Sequence, residues 1–340
     1  MENPGPPDER EAEVLSRLNE FYVSASLGDY FRGRAHGWLS LRGGGEVELP
    51  AELIERLGRQ GAIARIVPSR STPDQLAIDA FAMAYHVSET YCRQLLAVLN
   101  GAGPRTSPAI ALKFTPTGRS FSQALAEIVE TDQRLGSVVD FAFLPPEVRE
   151  GIPDEEVDAH RTFLRQWTRH HVRRLELWKN PNNAFKHGLA ATAPPTQMAF
   201  IPDPVDETAT PLAFMDGPVL HTLEHEVLKG DDGSKLDKLS WWHRALDPIE
   251  LVADVLITAE ILDWLNAIAR GRLLRTPVMV PLKSGPLPLD LRKPGPPGIS
   301  FRLDLGATPA RLGTDEIERM AALLDGKEVA RPDQPSPPEN

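Results

Sequence analysis

The stretch STPDQLAIDAFAMAYHVSETYCRQLLAVLNGAG, residues 71–103, decides the fold class. Ser71 or Thr72 offers a side-chain oxygen to the free amides of a first helical turn. Pro73 fits the position where no N–H is needed, and Asp74 favours the positive end of the helix dipole. Phe81, Val87, Leu95 and Leu99 recur at helical spacing, and Gly101 supplies a stop. Working outward, residues 119–133 read as a second helix opened by Ser120. Residues 153–190 read as a third, with Leu164, Trp167, His171, Leu175 and Trp178 as its core stripe, and 247–272 as a fourth opened by Asp247 and Pro248. The expected fold is mainly α: an antiparallel four-helix bundle over residues 71–275 with a small β insertion at about 196–246. An α+β lead-in over 1–70 comprises a helix over 9–27, a hairpin over 37–50, a short helix over 50–60 and a strand over 62–68. A proline-rich extended C-terminal region over 276–326, with a short helix near 315–326, and a disordered tail over 327–340 complete the chain.

The totals narrow the class. In 340 residues, 41% hydrophobic and 25% charged content is that of a globular protein with a sizeable core. The single cysteine, Cys92, excludes an intramolecular disulfide framework and a cysteine-based zinc site, and its apolar helical surroundings mark it as core filler. The N-terminal residues lack the basic and apolar regions of a signal peptide. The longest apolar run, at 248–269, is interrupted by Glu250, Asp254, Glu260 and Asp263, so neither export nor a membrane span is expected and the reading is cytoplasmic. A formal charge of −11 excludes a surface basic throughout but leaves room for a local basic patch.

Such a patch occurs in the third helix. Arg161, Arg165, Arg169 and Arg173 repeat every four residues, followed by Lys179 and Lys186, against one acid, Glu176. The pattern reads either as a face suited to phosphates or as a solvated face paired with acids elsewhere. The same helix runs into WKNPNNAFKHG, residues 178–188. One reading makes Asn180 a cap, Pro181 a first helical residue and Gly188 a stop. The other places Asn183 and His187 on one face, where an amide orients an imidazole that moves protons. In the first long helix, near 72–100, His86, Glu89 and Arg93 form a polar seam with Tyr85 beside it. It reads as a salt bridge fixing helix register or, if the bundle brings it against 182–187, as a source of a cation.

The segment NNAFKHG late in a helical bundle resembles the HEPN superfamily, whose short motif places an arginine, a polar residue and a histidine on such a helix. The resemblance covers at most residues 72–275. It implies RNA as ligand and metal-independent RNA cleavage across a dimer interface, with no cofactor. Asn182 falls at the arginine position, Asn183 at the polar one and His187 at the histidine. The missing arginine removes a fixed cation from the implied chemistry, so an RNA-binding or protein-binding relative without cleavage is an equal expectation. His171, on the apolar stripe, reads as a core histidine.

A competing motif is HTLEH, residues 221–225. It matches H-x-x-E-H, in which His221 and His225 on a helix bind zinc while Glu224 activates water. Its surroundings read as strand, which sends Glu224 to the opposite face from the histidines. Phosphate-loop, dinucleotide and nucleophile-elbow motifs do not occur.

Overall fold

The computed structural model describes residues 7–43, 73–103, 106–150, 152–186, 191–193, 195–200, 213–229, 235–275 and 300–307. The protein is mainly helical, with a small antiparallel β insertion. The described helices are α1 (Glu9–Val23), α2 (Leu27–Arg42), α3 (Pro73–Asn100), α4 (Pro108–Lys113), α5 (Gly118–Val129), α6 (Asp132–Phe143), α7 (Pro146–Arg149), α8 (Asp154–Lys186) and α9 (Pro248–Leu274). The strands are β1 (Ala191–Thr192), β2 (Pro195–Phe200), β3 (Ala213–Lys229), β4 (Lys235–Ala245) and β5 (Ser300–Ala307).

Helix α9 is the hub. Asp247 caps it by accepting from the amides of Ile249 and Glu250 at 2.9 and 3.1 Å, and Pro248 takes the first helical position. Leu251, Val252, Val255, Ala259, Leu262, Leu265 and Ala269 are buried, because α2 and α3 pack on it. Helix α3 begins at Pro73 and buries Phe81, Val87, Tyr91, Cys92 and Leu95, while the expected caps Ser71 and Thr72 lie outside the described residues. Gly101 does more than end it: a side chain there would run into the backbone of Pro108, so the absent Cβ lets α4 fold back against α3. The expected stripe of α8 is inside, with Leu164, Trp167, His171 and Leu175 buried and Trp178 partly so.

Four expectations are corrected. The hairpin over 37–50 begins inside a helix: α2 runs to Arg42, because Phe31, Ala35 and Trp38 share one helical face and bury it, while Trp38 Nε1 donates to Leu76 O at 2.8 Å. The remainder of that hairpin, and the short helix and strand after it, lie outside the described residues. The single helix over 119–133 is two, because Thr131 ends the run and caps α6, accepting from the Arg134 amide at 3.2 Å. The boundary expected at Asn180 is absent. Helix α8 passes through Pro181, which forfeits one backbone bond to Leu177 but lies buried beside buried Asn182. The short strands expected over 196–246 include one long one. Gly217, at φ 116°, turns β3 from pairing with β2 (Thr196↔Gly217) to pairing with β4 (Val219↔Ala245), where L side chains would be strained. β1 pairs with β3 and β5 with β4. The expected C-terminal helix near 315–326 and the tail lie outside the described residues.

Candidate functional site

A cleft of about 250 Å³ opens between α3, α5 and α8. Its α3 wall carries Tyr85, Glu89 and Arg93, its α5 wall Gly118, Phe121 and Ser122, and its α8 wall Glu176, Lys179, Asn183 and Lys186. Glu89 and Arg93 sit one helical turn apart and form an ion pair, with Oε1 3.0 Å from Nε and 2.9 Å from Nη2. The Arg93 guanidinium also lies over the Phe121 ring, 4.7 Å from its centroid. Lys186 Nζ stands 5.9 Å from the centroid of Tyr85, whose hydroxyl burial and the Glu89 charge push up to about 12. Three cations against two carboxylates give the cleft a small positive excess in an acidic chain.

The seam expected from sequence is thus partly in one place with the end of α8. Glu89, Arg93, Asn183 and Lys186 share the cleft. His86 points elsewhere: it is exposed and packs edge-on against Tyr30 and Phe31 of α2, and burial with the Arg34 charge lowers its pKa. Asn182 is buried, and its amide nitrogen finds no acceptor among the described residues. His187 lies outside the described residues.

The arginine stripe is largely neutralised. Arg161 Nε donates to Asp140 at 2.7 Å and Nη1 bonds Asp158, Arg169 bonds the Asp132 carboxylate, and Arg165 donates to the Asp132 carbonyl at 2.5 Å. The Arg169 hydrogen bond and charge hold the Asp132 carboxyl below its usual range. Arg173 is exposed. The acids come from α6 and from α8 itself, so this face serves to join the two helices.

A buried polar network joins α3, α8 and α9. His171 has Nδ1 2.8 Å from Ser88 Oγ and Nε2 3.1 Å from Thr258 Oγ1, and burial with the His170 and Arg174 charges pushes its pKa well down. Tyr91 donates to Thr168 Oγ1 at 2.7 Å, since that hydroxyl is committed to Leu164 O. Asp254 on α9 pairs with Arg174 and with His170 Nε2 at 3.1 Å. Burial pushes its pKa up, but the His170 hydrogen bond and the Arg174 charge outweigh it, and the carboxyl titrates below its usual range. Sequence reasoning missed this role for Asp254. The signal was an acid in a helix apolar on nearly every side.

HTLEH lies on β3, with His221 opposite His243 and His225 opposite Leu239. A helix that would bring its first and fifth residues to one metal is not formed there. The His221 and His243 rings instead meet at 2.7 Å between their Nδ1 atoms. Glu224 and His225 are described only in backbone. Among the described residues no cluster of three or more metal-ligating side chains occurs, and no helix is long and apolar enough to cross a membrane.

Comparison with protein-family models, with curated protein sequences and with solved structures finds no match.

Proposed function

We propose that this chain is a HEPN-like protein that binds single-stranded RNA in the cleft between α3, α5 and α8. One observation carries the reading: Asn183 and Lys186, from the motif-bearing end of α8, share a cleft with Arg93 of the polar seam. Arg93, Lys179 and Lys186 provide cations for backbone phosphates. The guanidinium resting on Phe121 offers its other face as a stacking surface. A cleft of this size suits one nucleotide of a single strand rather than a duplex. The reading is of binding rather than cleavage, because Arg93 is held by Glu89 and the residue at the motif's arginine position, Asn182, is buried outside the cleft lining.

The test is fluorescence anisotropy with a labelled single-stranded RNA over a salt series. Three phosphate contacts predict a log K against log salt slope of about −2, and K179E/K186E should lower affinity by about tenfold or more. Equal binding by the wild type and that double variant, or no wild-type binding at low salt, overturns the reading.

A further inference from the structure

Glu89 occupies the place a ligand phosphate would take on Arg93. A single carboxylate oxygen accepts from Nε at 3.0 Å and stands 2.9 Å from Nη2, the side of the guanidinium where a phosphate oxygen would sit. Arg93 has little freedom to turn to a ligand elsewhere, because its guanidinium rests on Phe121 and its side chain is only 27% exposed. A phosphate entering the cleft therefore has to displace Glu89 or approach Arg93 alongside it, against the repulsion of that carboxylate and of Glu176 on the opposite wall. A diester phosphate brings one negative charge to this competition. A phosphomonoester brings nearly two at neutral pH and three acceptor oxygens, and so displaces a carboxylate more readily. Lys179 and Lys186 stand on the α8 wall, with the Asn183 amide between them in sequence, to meet the second charge and the remaining oxygens.

Resting on the RNA-binding reading of this cleft, we infer that its ligand group is a terminal phosphomonoester, and that Glu89 is the residue that discriminates it from internal diesters. Glu89 sets a threshold: with the carboxylate in place, only a group of higher charge gains access to Arg93. The acid and its arginine lie one turn apart on a buried helix, so the threshold is built into α3 and does not depend on loop movement.

The experiment measures the affinity of one RNA sequence carrying a 5′-phosphate, a 3′-phosphate or hydroxyls at both ends, with inorganic phosphate as competitor, for the wild type, E89Q and K179E/K186E. The glutamine keeps the shape and a neutral acceptor for Arg93. A preference of about tenfold for one phosphorylated end is expected in the wild type, narrowing in E89Q because hydroxyl-ended RNA gains about fivefold, the worth of one partly screened charge. Competition by millimolar inorganic phosphate against either RNA would mark the free ion as an equal occupant. Equal affinity for all three ends, unchanged by E89Q but lost in K179E/K186E, would overturn this inference and leave the RNA-binding reading standing. RNA bound by none of the proteins would remove both.

Discussion

His171 on α8 and Ser88 on α3 share a hydrogen bond of 2.8 Å between Nδ1 and Oγ, at a point where neither residue is exposed. Thr258 of α9 stands at the other ring nitrogen. Both hydroxyls also lie within reach of carbonyls in their own helices, Ser88 at 2.8 Å from Ala84 O and Thr258 at 2.6 Å from Asp254 O. If each gave its hydrogen to its carbonyl, the ring would have to donate at both nitrogens and carry a charge. Burial, first, and then the His170 and Arg174 charges oppose that form, so the ring is neutral and one hydroxyl turns its hydrogen toward it. The ring protons of His171 should therefore not shift in NMR spectra between about pH 5 and 8. S88A and T258V should each cost about 1 to 3 kcal/mol, with the double variant costing less than the sum because both act through one ring. Additive losses in urea titrations would show that the ring does not couple them.

Asp254 and Arg174 form a buried pair whose partners are not interchangeable with water. D254N leaves the Arg174 guanidinium inside without a counter-charge, at an expected cost of about 3 to 5 kcal/mol. Replacing both, as D254L/R174M, should recover most of it. The folded-state pKa of Asp254 is depressed, so its contribution is fully present above the ordinary carboxylate value and is lost as pH falls through the folded one. Thermal melts from pH 7 down to about pH 3 should show the wild type losing stability in the acid range, with D254L/R174M losing less.

A second pH effect has its own window. Of the paired imidazoles of β3 and β4, His243 is buried and His221 partly so, and burial with the His221 charge lowers the His243 pKa from 6.5 to about 4. The unfolded chain takes up a proton here before the folded one, so stability is greatest above about pH 6.5 and declines as pH falls toward 4, by up to about 3 kcal/mol at about 1.4 kcal/mol per unit. H243F, which has no proton to take up, should flatten the melting temperature over that range. A profile unchanged by H243F would mean that the ring pair does not govern it.

Where the chain announced its structure, it did so through local chemistry. Pro73, Gly101, Asp247 and Pro248 each act within a turn of themselves, and the helix ends fall where they stand. The α8 stripe was legible because its spacing depends only on the helix period. Helix α2 was not, because the three glycines after Arg42 suggested a hairpin while Phe31, Ala35 and Trp38 became a buried face through packing on α9 and α3. Likewise Pro181 signalled a boundary that burial overrode. The cleft was half legible: the Glu89/Arg93 seam and the Asn183/Lys186 end of α8 are periodic features, but Phe121 and Gly118 reach it only through the placement of α5. The partners of the arginine stripe were hidden for the same reason, since Asp132 meets Arg169 across 37 positions.

That pairing separates two basic surfaces by experiment. Arg165 and Arg169 both lean on Asp132, and Arg161 on Asp140 and Asp158, so a phosphate reaching this face must first compete with carboxylates already in contact. Lys179 and Lys186 line the cleft instead, where Arg93 is available at the cost of one acid. R165E/R169E should therefore leave RNA affinity and its salt slope within about twofold of the wild type, whereas K179E/K186E should lower the affinity by about tenfold or more and flatten the slope by about 1.4, the release expected from two single-strand phosphate contacts. The pairs broken by R165E/R169E are exposed and contribute little to stability, so both variants should melt as folded proteins and the comparison remains interpretable. The opposite ranking, with binding lost in R165E/R169E and kept in K179E/K186E, would move the RNA to the outer face of α8 and leave the cleft without a ligand.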